Sequence, residues 1–524
     1  MTIPALPRVD AYLRAHAIDK PDVDAWIDAG RAISFRDADR WVTELSKALL
    51  ASGLRPGERV AVHGKPGPEF LALFVAITSI GCIYVGLNPK YTAGELSVIV
   101  GDCEPVLLFD LVTGEAANAT KIAAVMARCP AIRQRIGLEE LDAFISPGRN
   151  VPNKQLLLRR EEVDPGDVAL LVYTSGTTGT PKGAQLTHRG ITFIAPITND
   201  PDHFGVDGQG RTLCNLPINH VGCVVDLCTN NLIVGSTIVF QPDFDPDAML
   251  RAIEHHRLTM IGGIPVMFLM MSRSPLFGMT DYSSLQKVIL AGNPPPLPLV
   301  QKLQQVIGKP ILNGYGLTEA MGFSTFTDIH DDAETIAGTV GRFDPRIEWR
   351  LADDDGHSVG AGQAGEIQMR GDWLFSGYFG RPDATAEAFT WDGWFRTGDL
   401  AEITPEDNVR LVGRRKEMFK SGGYNVFPLE VEQAIEALEG VAMAVVVPVA
   451  DETFHEVGHA FVVPGGGELE PSELRLRLRD RLANYKIPKH FEVVDELPML
   501  PIGKVDRLAL KRRAQAANQE TISA

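Results

Sequence analysis

A chain of 524 residues can bury several cores, and at ordinary domain sizes it divides into roughly three or four folding units. With 45% apolar and 22% charged residues the composition is that of a soluble globular enzyme. A formal charge of −17 excludes non-specific nucleic-acid binding, because a phosphate backbone would repel it, and the interspersed charges read as solvated surface.

Six cysteines (Cys82, Cys103, Cys129, Cys214, Cys223, Cys228) are scattered with no C-x-x-C pair. That usage fits a reducing, cytoplasmic setting and neither a disulfide framework nor a zinc ribbon. The first residues lack the basic-then-apolar layout of a signal peptide. Phe70 to Leu87 is 18 residues without a charge, but Gly81 interrupts it and Asn88-Pro89 ends it. It reads as a buried helix followed by a buried strand, not as a membrane span.

Taken in order, residues 37–54 predict an amphipathic helix, with Trp41, Leu45, Ala48 and Leu49 at helical spacing and Gly53 near its end. Arg59–His63 and Val106–Phe109 are buried strands, and residues 122–128 a helix. Such alternation builds a doubly wound parallel sheet over residues 1–165. It recurs over 166–345: a strand at 233–240, a helix at 247–256 capped by Asp245 with Pro246 first, and strands at Met260–Ile261 and Val288–Leu290. Residues 346–413 are strand-rich (347–351, 365–370, 409–412), as in a small β-barrel or antiparallel sheet. Beyond them, helix 429–438, strands 442–449 and 460–463, and a basic helix 473–482 make a small α+β domain, with residues 515–524 as a frayed tail. The expected architecture is therefore α/β. A large N-terminal domain (1–413) holds two α/β subdomains and the small β unit. A charged hinge (414–416) then leads to a small mobile C-terminal domain (417–524).

The chemistry gathers after the apolar run Val168-Ala-Leu-Leu-Val-Tyr173. Four hydroxyls (Thr174, Ser175, Thr177, Thr178), three glycines (Gly176, Gly179, Gly183) and Lys182 follow it. Glycines bring backbone N–H groups close to an anion, and hydroxyls and lysine add donors and charge, so the stretch is built to cradle phosphate. It is not a G-x-x-x-x-G-K-[ST] loop, since Pro181 stands where that pattern needs glycine. A flexible Gly/Thr surface loop sits poorly with so many donors after a buried strand.

This segment resembles the phosphate loop of the adenylate-forming superfamily, which includes acyl-CoA synthetases, aryl-CoA ligases, luciferases and peptide-synthetase adenylation domains. Five further stretches resemble its motifs in the required order, so that the six run from residue 171 to residue 507. In Leu216-Pro-Ile-Asn-His220 the resemblance places His220 beside the substrate carboxylate. Asn219, Val221, Gly292, Asn293 and Met321 join it around the acyl pocket. In Asn313-Gly314-Tyr315-Gly316-Leu-Thr318-Glu319 it implies that Tyr315 stacks on adenine, Thr318 meets the α-phosphate and Glu319 holds Mg²⁺. Asp399 and Arg414 would hold the ribose, Lys416 would be the pivot of the small domain, and Lys420, Gly422 and Gly423 would later face CoA. Glu417 departs mildly from the usual Asp. Read alone, each stretch has an ordinary alternative: a structural histidine, a β-turn with an exposed Glu, a turn-capping Asp, a solvated basic linker.

The last motif, Pro498 to Arg507, resembles the loop delivering the catalytic lysine, here Lys504. A carboxylate oxygen must attack an α-phosphorus that already carries negative charge, with pyrophosphate leaving in line. Lys504 and Mg²⁺ would neutralise that charge. Amino-acid-activating relatives place Asp after the pocket aromatic, where this chain has Val221, and an ammonium buried there would go unpaired. The expected reaction is that of an acyl-CoA synthetase. An apolar monocarboxylic acid, fatty or aryl, and MgATP give acyl-adenylate and pyrophosphate, and CoA then displaces AMP. Loading of a carrier protein, or oxidation of the adenylate as in luciferases, stays open as an alternative. The expected partners are the acid, ATP and CoA, with no nucleic acid and no transmembrane segment, and a homodimer is compatible with the sequence. A rival of another class is a zinc hydrolase at His455-Glu-Val-Gly-His459, a match to H-E-x-x-H that requires a helix and here carries Gly458 between flanking β-type runs.

Overall fold

A computed structural model of the chain describes residues 5–114, 116–174, 181–206, 208–466, 469–500 and 504–523, the side chains of 519–523 excepted. Its large N-terminal domain is built on two mainly parallel sheets. The first runs Gln134–Gly137, Leu107–Asp110, Arg59–His63, Ile83–Leu87, Val168–Thr174, Lys182–Thr187, with only the last pair antiparallel. Leu107–Asp110 and Ile83–Leu87 are buried throughout, as strands covered on both faces must be. The helix Pro68–Ser79, also buried throughout, packs beside them, so the uncharged stretch is a helix and a strand as expected. Among the described residues no helix is long and apolar enough to cross a membrane.

The second sheet runs Ile311–Gly314, Lys287–Ala291, Met260–Gly263, Arg211–Cys214, Thr237–Phe240, Asp24–Asp28, Arg31–Ser34. The sheets exchange strands across residue 165. Asp24–Asp28 pairs in parallel with Thr237–Phe240, and Val168–Thr174 with Ile83–Leu87. The division at 165/166 therefore does not follow the sheets. The buried Trp26 and Ile27 need a covered position beside the second sheet, and the apolar Ala169–Val172 needs an interior one in the first.

Several element boundaries differ from expectation for local reasons. The first amphipathic helix starts at Phe35, because Ser34 caps it by accepting from the Asp37 N–H at 3.1 Å. Ile233 and Val234 close a helix, Asn230–Val234, which Gly235 ends at φ +75°, so the strand is only Thr237–Phe240. Asp245 caps Pro246–His255 as expected, accepting from the Ala248 N–H at 2.6 Å. The helix expected at 473–482 is Pro471–Arg477 followed by a 3₁₀ turn, Leu478–Asp480. The tail is helical, Arg507–Ser523, with Leu510 and Ala514 buried against the small domain.

The strand-rich segment is a four-stranded antiparallel meander: Glu348–Ala352, Gly365–Arg370, Phe395–Ile403, Val409–Arg414. The C-terminal domain has its own sheet, centred on the long pair Val441–Asp451 and His455–Pro464, with separate cores on its two faces. That pairing removes the zinc site. His455 and His459 lie on one extended strand, about 13 Å apart along it at the usual rise, where a helix would make them neighbours one turn apart. His455 is exposed, whereas His459 stacks on Phe461 at 4.7 Å. All six cysteines are free and buried.

Candidate active site

Strands Val168–Thr174 and Lys182–Thr187 form a hairpin in which Thr174 pairs with Lys182. The loop it carries, with Ser175, Gly176, Thr177, Thr178 and Gly179, lies outside the described residues. Lys182 Nζ sits 5.2 Å from the centre of the Tyr378 ring, a cation–π arrangement. The hydroxyl of Tyr378 donates to Glu319 Oε1 at 2.8 Å. Tyr378 thus joins the loop lysine to the carboxylate, a role no motif in the sequence signalled.

Close backbone approach explains the glycines around Tyr315. A Cβ at Gly314 would lie 2.5 Å from the Thr325 carbonyl, and one at Gly316 2.2 Å from that of Gly322. The Asn313 carboxamide is spent inside the fold, donating to the carbonyls of Ile336 and Thr339 at 3.2 and 3.1 Å. Tyr315 is buried, and its hydroxyl donates to Asp399 Oδ2 at 2.7 Å. Arg414 Nε meets the other oxygen, Asp399 Oδ1, at 2.9 Å, on a neighbouring strand where Asp399 and Arg414 are direct partners. Thr318 heads the 3₁₀ turn Thr318–Ala320, which carries Glu319 toward the same space.

Lys504 lies deep in this group. Burial and the Arg414 guanidinium lower its pKa, while Asp399, Glu319 and Glu417 pull the other way. Burial raises the Glu319 carboxyl, opposed by the Tyr378 hydrogen bond. Arg414 is held more firmly protonated, chiefly by Asp399. Two carboxylates and two cations therefore face one another, and each keeps some open surface although protein surrounds it, Asp399 least.

On the far side, burial and then Lys504 push the His220 pKa down to about 3, so the ring is neutral. The Gly222 N–H donates to His220 Nδ1 at 3.0 Å, which leaves the proton on Nε2. Asn219 donates to the Tyr91 hydroxyl at 3.1 Å, and Val221 is buried at the head of the π-helix Gly222–Thr229. Met321 is fully buried at φ +62°, and Gly292 and Asn293 lie exposed after strand Lys287–Ala291. Lys416 sits in the exposed turn after Arg414. Lys420 is the exposed residue of the otherwise buried strand Phe419–Ser421 of the small domain, and Gly422 and Gly423, at φ +58° and +86°, turn it back. No described contact joins Lys420, Gly422 or Gly423 to the Lys504 group.

Residues 13–379 match the model of the AMP-binding enzyme family, and residues 430–504 that of the AMP-binding enzyme C-terminal domain. The chain belongs to the AMP-binding enzyme family. It is 34% identical over 495 residues to a feruloyl-CoA synthase from Amycolatopsis sp, covering 94% of this chain and 96% of that one. It is 33% identical over 503 residues, with the same coverage, to indoleacetate–CoA ligase from Aromatoleum aromaticum. In structure this AMP-binding enzyme resembles ATP-bound MatB from Rhodopseudomonas palustris, with a TM-score of 0.83 at 28% identity over 97% of this chain and 99% of that one. The anthranilate CoA ligase AuaEII in complex with anthranoyl-AMP shares the fold at a TM-score of 0.89 and 23% identity, covering 99% and 100%. The chain is an AMP-forming carboxylate–CoA ligase, an ATP-dependent acyl- or aryl-CoA synthetase acting through an acyl-adenylate.

Proposed function

We propose that this ligase activates an apolar monocarboxylic acid, with the Lys504 group as its adenylation centre. The single observation behind this is the meeting of Lys504, from the small domain, with Glu319, Asp399 and Arg414 of the large one. Asp399 accepts the ribose hydroxyls, and Arg414 and Tyr315 hold its carboxylate in place. Tyr315 also offers its ring to adenine, and Thr318 its hydroxyl to the α-phosphate. The neutral His220 presents Nε2–H to the substrate carboxylate without adding a charge that would hold it back. Lys504 offsets the charge that grows as carboxylate and α-phosphate approach.

Mg²⁺ fits this site, since Glu319 is a deep carboxylate that keeps some open surface, and bound there it would neutralise phosphate charge. After adenylation, residues 414–416 act as the hinge between residues 1–413 and 417–524. Rotation about Lys416 would exchange Lys504 for the surface of Lys420, Gly422 and Gly423, which receives CoA. The names of the feruloyl and indoleacetate relatives favour an aryl acid over a long aliphatic one. We place the protein in the cytoplasm.

The test is pyrophosphate release with MgATP over a panel of fatty and aryl acids, with and without CoA, products identified by mass. Acid-dependent release, with acyl-CoA formed only when CoA is present, is the expected result. Acyl-adenylate that accumulates and ignores CoA would transfer the second step to a carrier protein. No adenylate from any acid would overturn the reading.

A further inference from the structure

Six residues beyond His220, on the π-helix Gly222–Thr229, Asp226 carries a carboxyl group for which no hydrogen bond or ion pair is found among the described residues. Protein surrounds it, with Oδ1 itself covered, yet the residue as a whole keeps part of its surface open. His220 and Glu319 show the same combination. Asp226 Oδ1 has no hydrogen-bond partner among the described residues. Burial alone pushes the carboxyl well above the usual carboxylate range, and no neighbouring charge contributes.

The surroundings make room for this group. Strand Gly322–Phe323, directly after Met321, packs against the π-helix. Gly322 has φ +123°, and a Cβ there would come within 2.2 Å of Asp226 Oδ1. Only glycine leaves that place to the carboxyl. The π-helix contributes as well, because its wider winding, with the Asn230 N–H bonded to the Val225 carbonyl, changes which side chains face the strand. A buried acceptor without a donor is destabilising, so such a group calls for an explanation outside the protein's own contacts. Six residues of this wide winding carry Asp226 more than a turn beyond His220.

We propose that Asp226 is the specificity residue of the acyl pocket, and that the preferred acid is an apolar body bearing a hydrogen-bond donor, hydroxyl or amine, at the end remote from its carboxylate. The inference rests on the ligase reading above and narrows it. Val221 beside His220 still argues against an α-amino acid, because an α-ammonium would sit at the wrong end of the helix. A neutral carboxyl can accept from a hydroxyl and donate back to it. An ammonium would instead hold the carboxyl ionised as a buried pair.

The experiment compares matched arylalkanoic acids, unsubstituted, ring-hydroxylated and ring-aminomethylated, by kcat/KM for pyrophosphate release in the wild type, Asp226→Asn and Asp226→Leu. The wild type should prefer one donor-bearing acid over its plain partner by on the order of 10² or more, beyond what pocket shape alone gives. Asp226→Leu should bring that ratio below about 10, losing the donor-bearing acid and gaining the plain one. Asp226→Asn should keep part of a hydroxyl preference and abolish an ammonium preference, which tells the two donors apart. Equal wild-type rates on plain and donor-bearing acids, or the same ratio in wild type and Asp226→Leu, would overturn the assignment while leaving the ligase intact. The wild-type ratio and the milder Asn variant decide the matter even if Asp226→Leu does not fold. No release from any acid removes the ligase reading and this inference together.

Discussion

Around Lys504 the charges answer one another, whereas around Asp226 no described residue does. Asp399 has Arg414 and the Tyr315 hydroxyl, Glu319 has the Tyr378 hydroxyl, and Lys504 stands among them. On the proposed reading that region receives a polyanion and stays ordered while charge moves, and its own charges are compensated before any ligand arrives. The Asp226 region holds one carboxyl with an unpartnered oxygen and a glycine opposite to make space. The difference teaches how to read buried polar groups. A satisfied cluster holds a shape for catalysis, and an unsatisfied single group marks the place of a missing partner.

The contrast can be broken at either region. The largest expected effect is at Lys504. Lys504→Ala should lower the adenylation rate by on the order of 10²–10³, the scale of losing one transition-state donor, with unchanged circular dichroism and thermal midpoint. An unaltered rate would reduce Lys504 to an ordinary lysine. Next comes Gly322→Ala, which sets a Cβ against Asp226 Oδ1 on a backbone at φ +123°. It should destabilise the fold by about 1–3 kcal/mol, read from denaturant midpoints. In an Asp226→Ala background part of that loss should vanish, because the contact is gone and only the backbone strain remains. Strict additivity would mean that the two do not touch.

The smallest effect concerns the small domain. Dialysis against a zinc chelator, followed by return to MgATP, should leave both half-reactions unchanged, since His455 and His459 are held apart on a strand. Stoichiometric zinc that is lost in the His455→Ala, His459→Ala double variant would contradict that geometry.

Much of the catalytic side was legible in the sequence because its chemistry is local. Asp392-Gly-Trp-Phe-Arg-Thr-Gly-Asp399 and Asn313 to Glu319 carry turn glycines and functional groups within a few residues, and the structure brings Tyr315, Glu319, Asp399 and Arg414 together with Lys504. What the sequence hid is non-local. Tyr378 lies 59 residues from its partner Glu319 and stands in no motif. Asp226 follows Val224 and Val225 and reads as an ordinary helical acid. Only the π winding and the distant Gly322 reveal that it points at a strand. Strand exchange was invisible for the same reason, since the apolar pattern of Val168–Thr174 says that it is buried and not in which sheet. Ile233 and Val234 misled through their β-branching, because the Gly235 stop, and not propensity, sets where the helix ends.

The central claim is that Lys504 serves adenylation and then gives up its place to the CoA-facing surface of the same domain. It is tested most directly by separating the half-reactions in Lys504→Ala, measuring pyrophosphate release from acid and MgATP, and thioester formation from supplied acyl-adenylate and CoA. The first should fall by on the order of 10²–10³ while the second stays near the wild-type rate. Equal loss in both, or loss confined to thioester formation, would contradict the account.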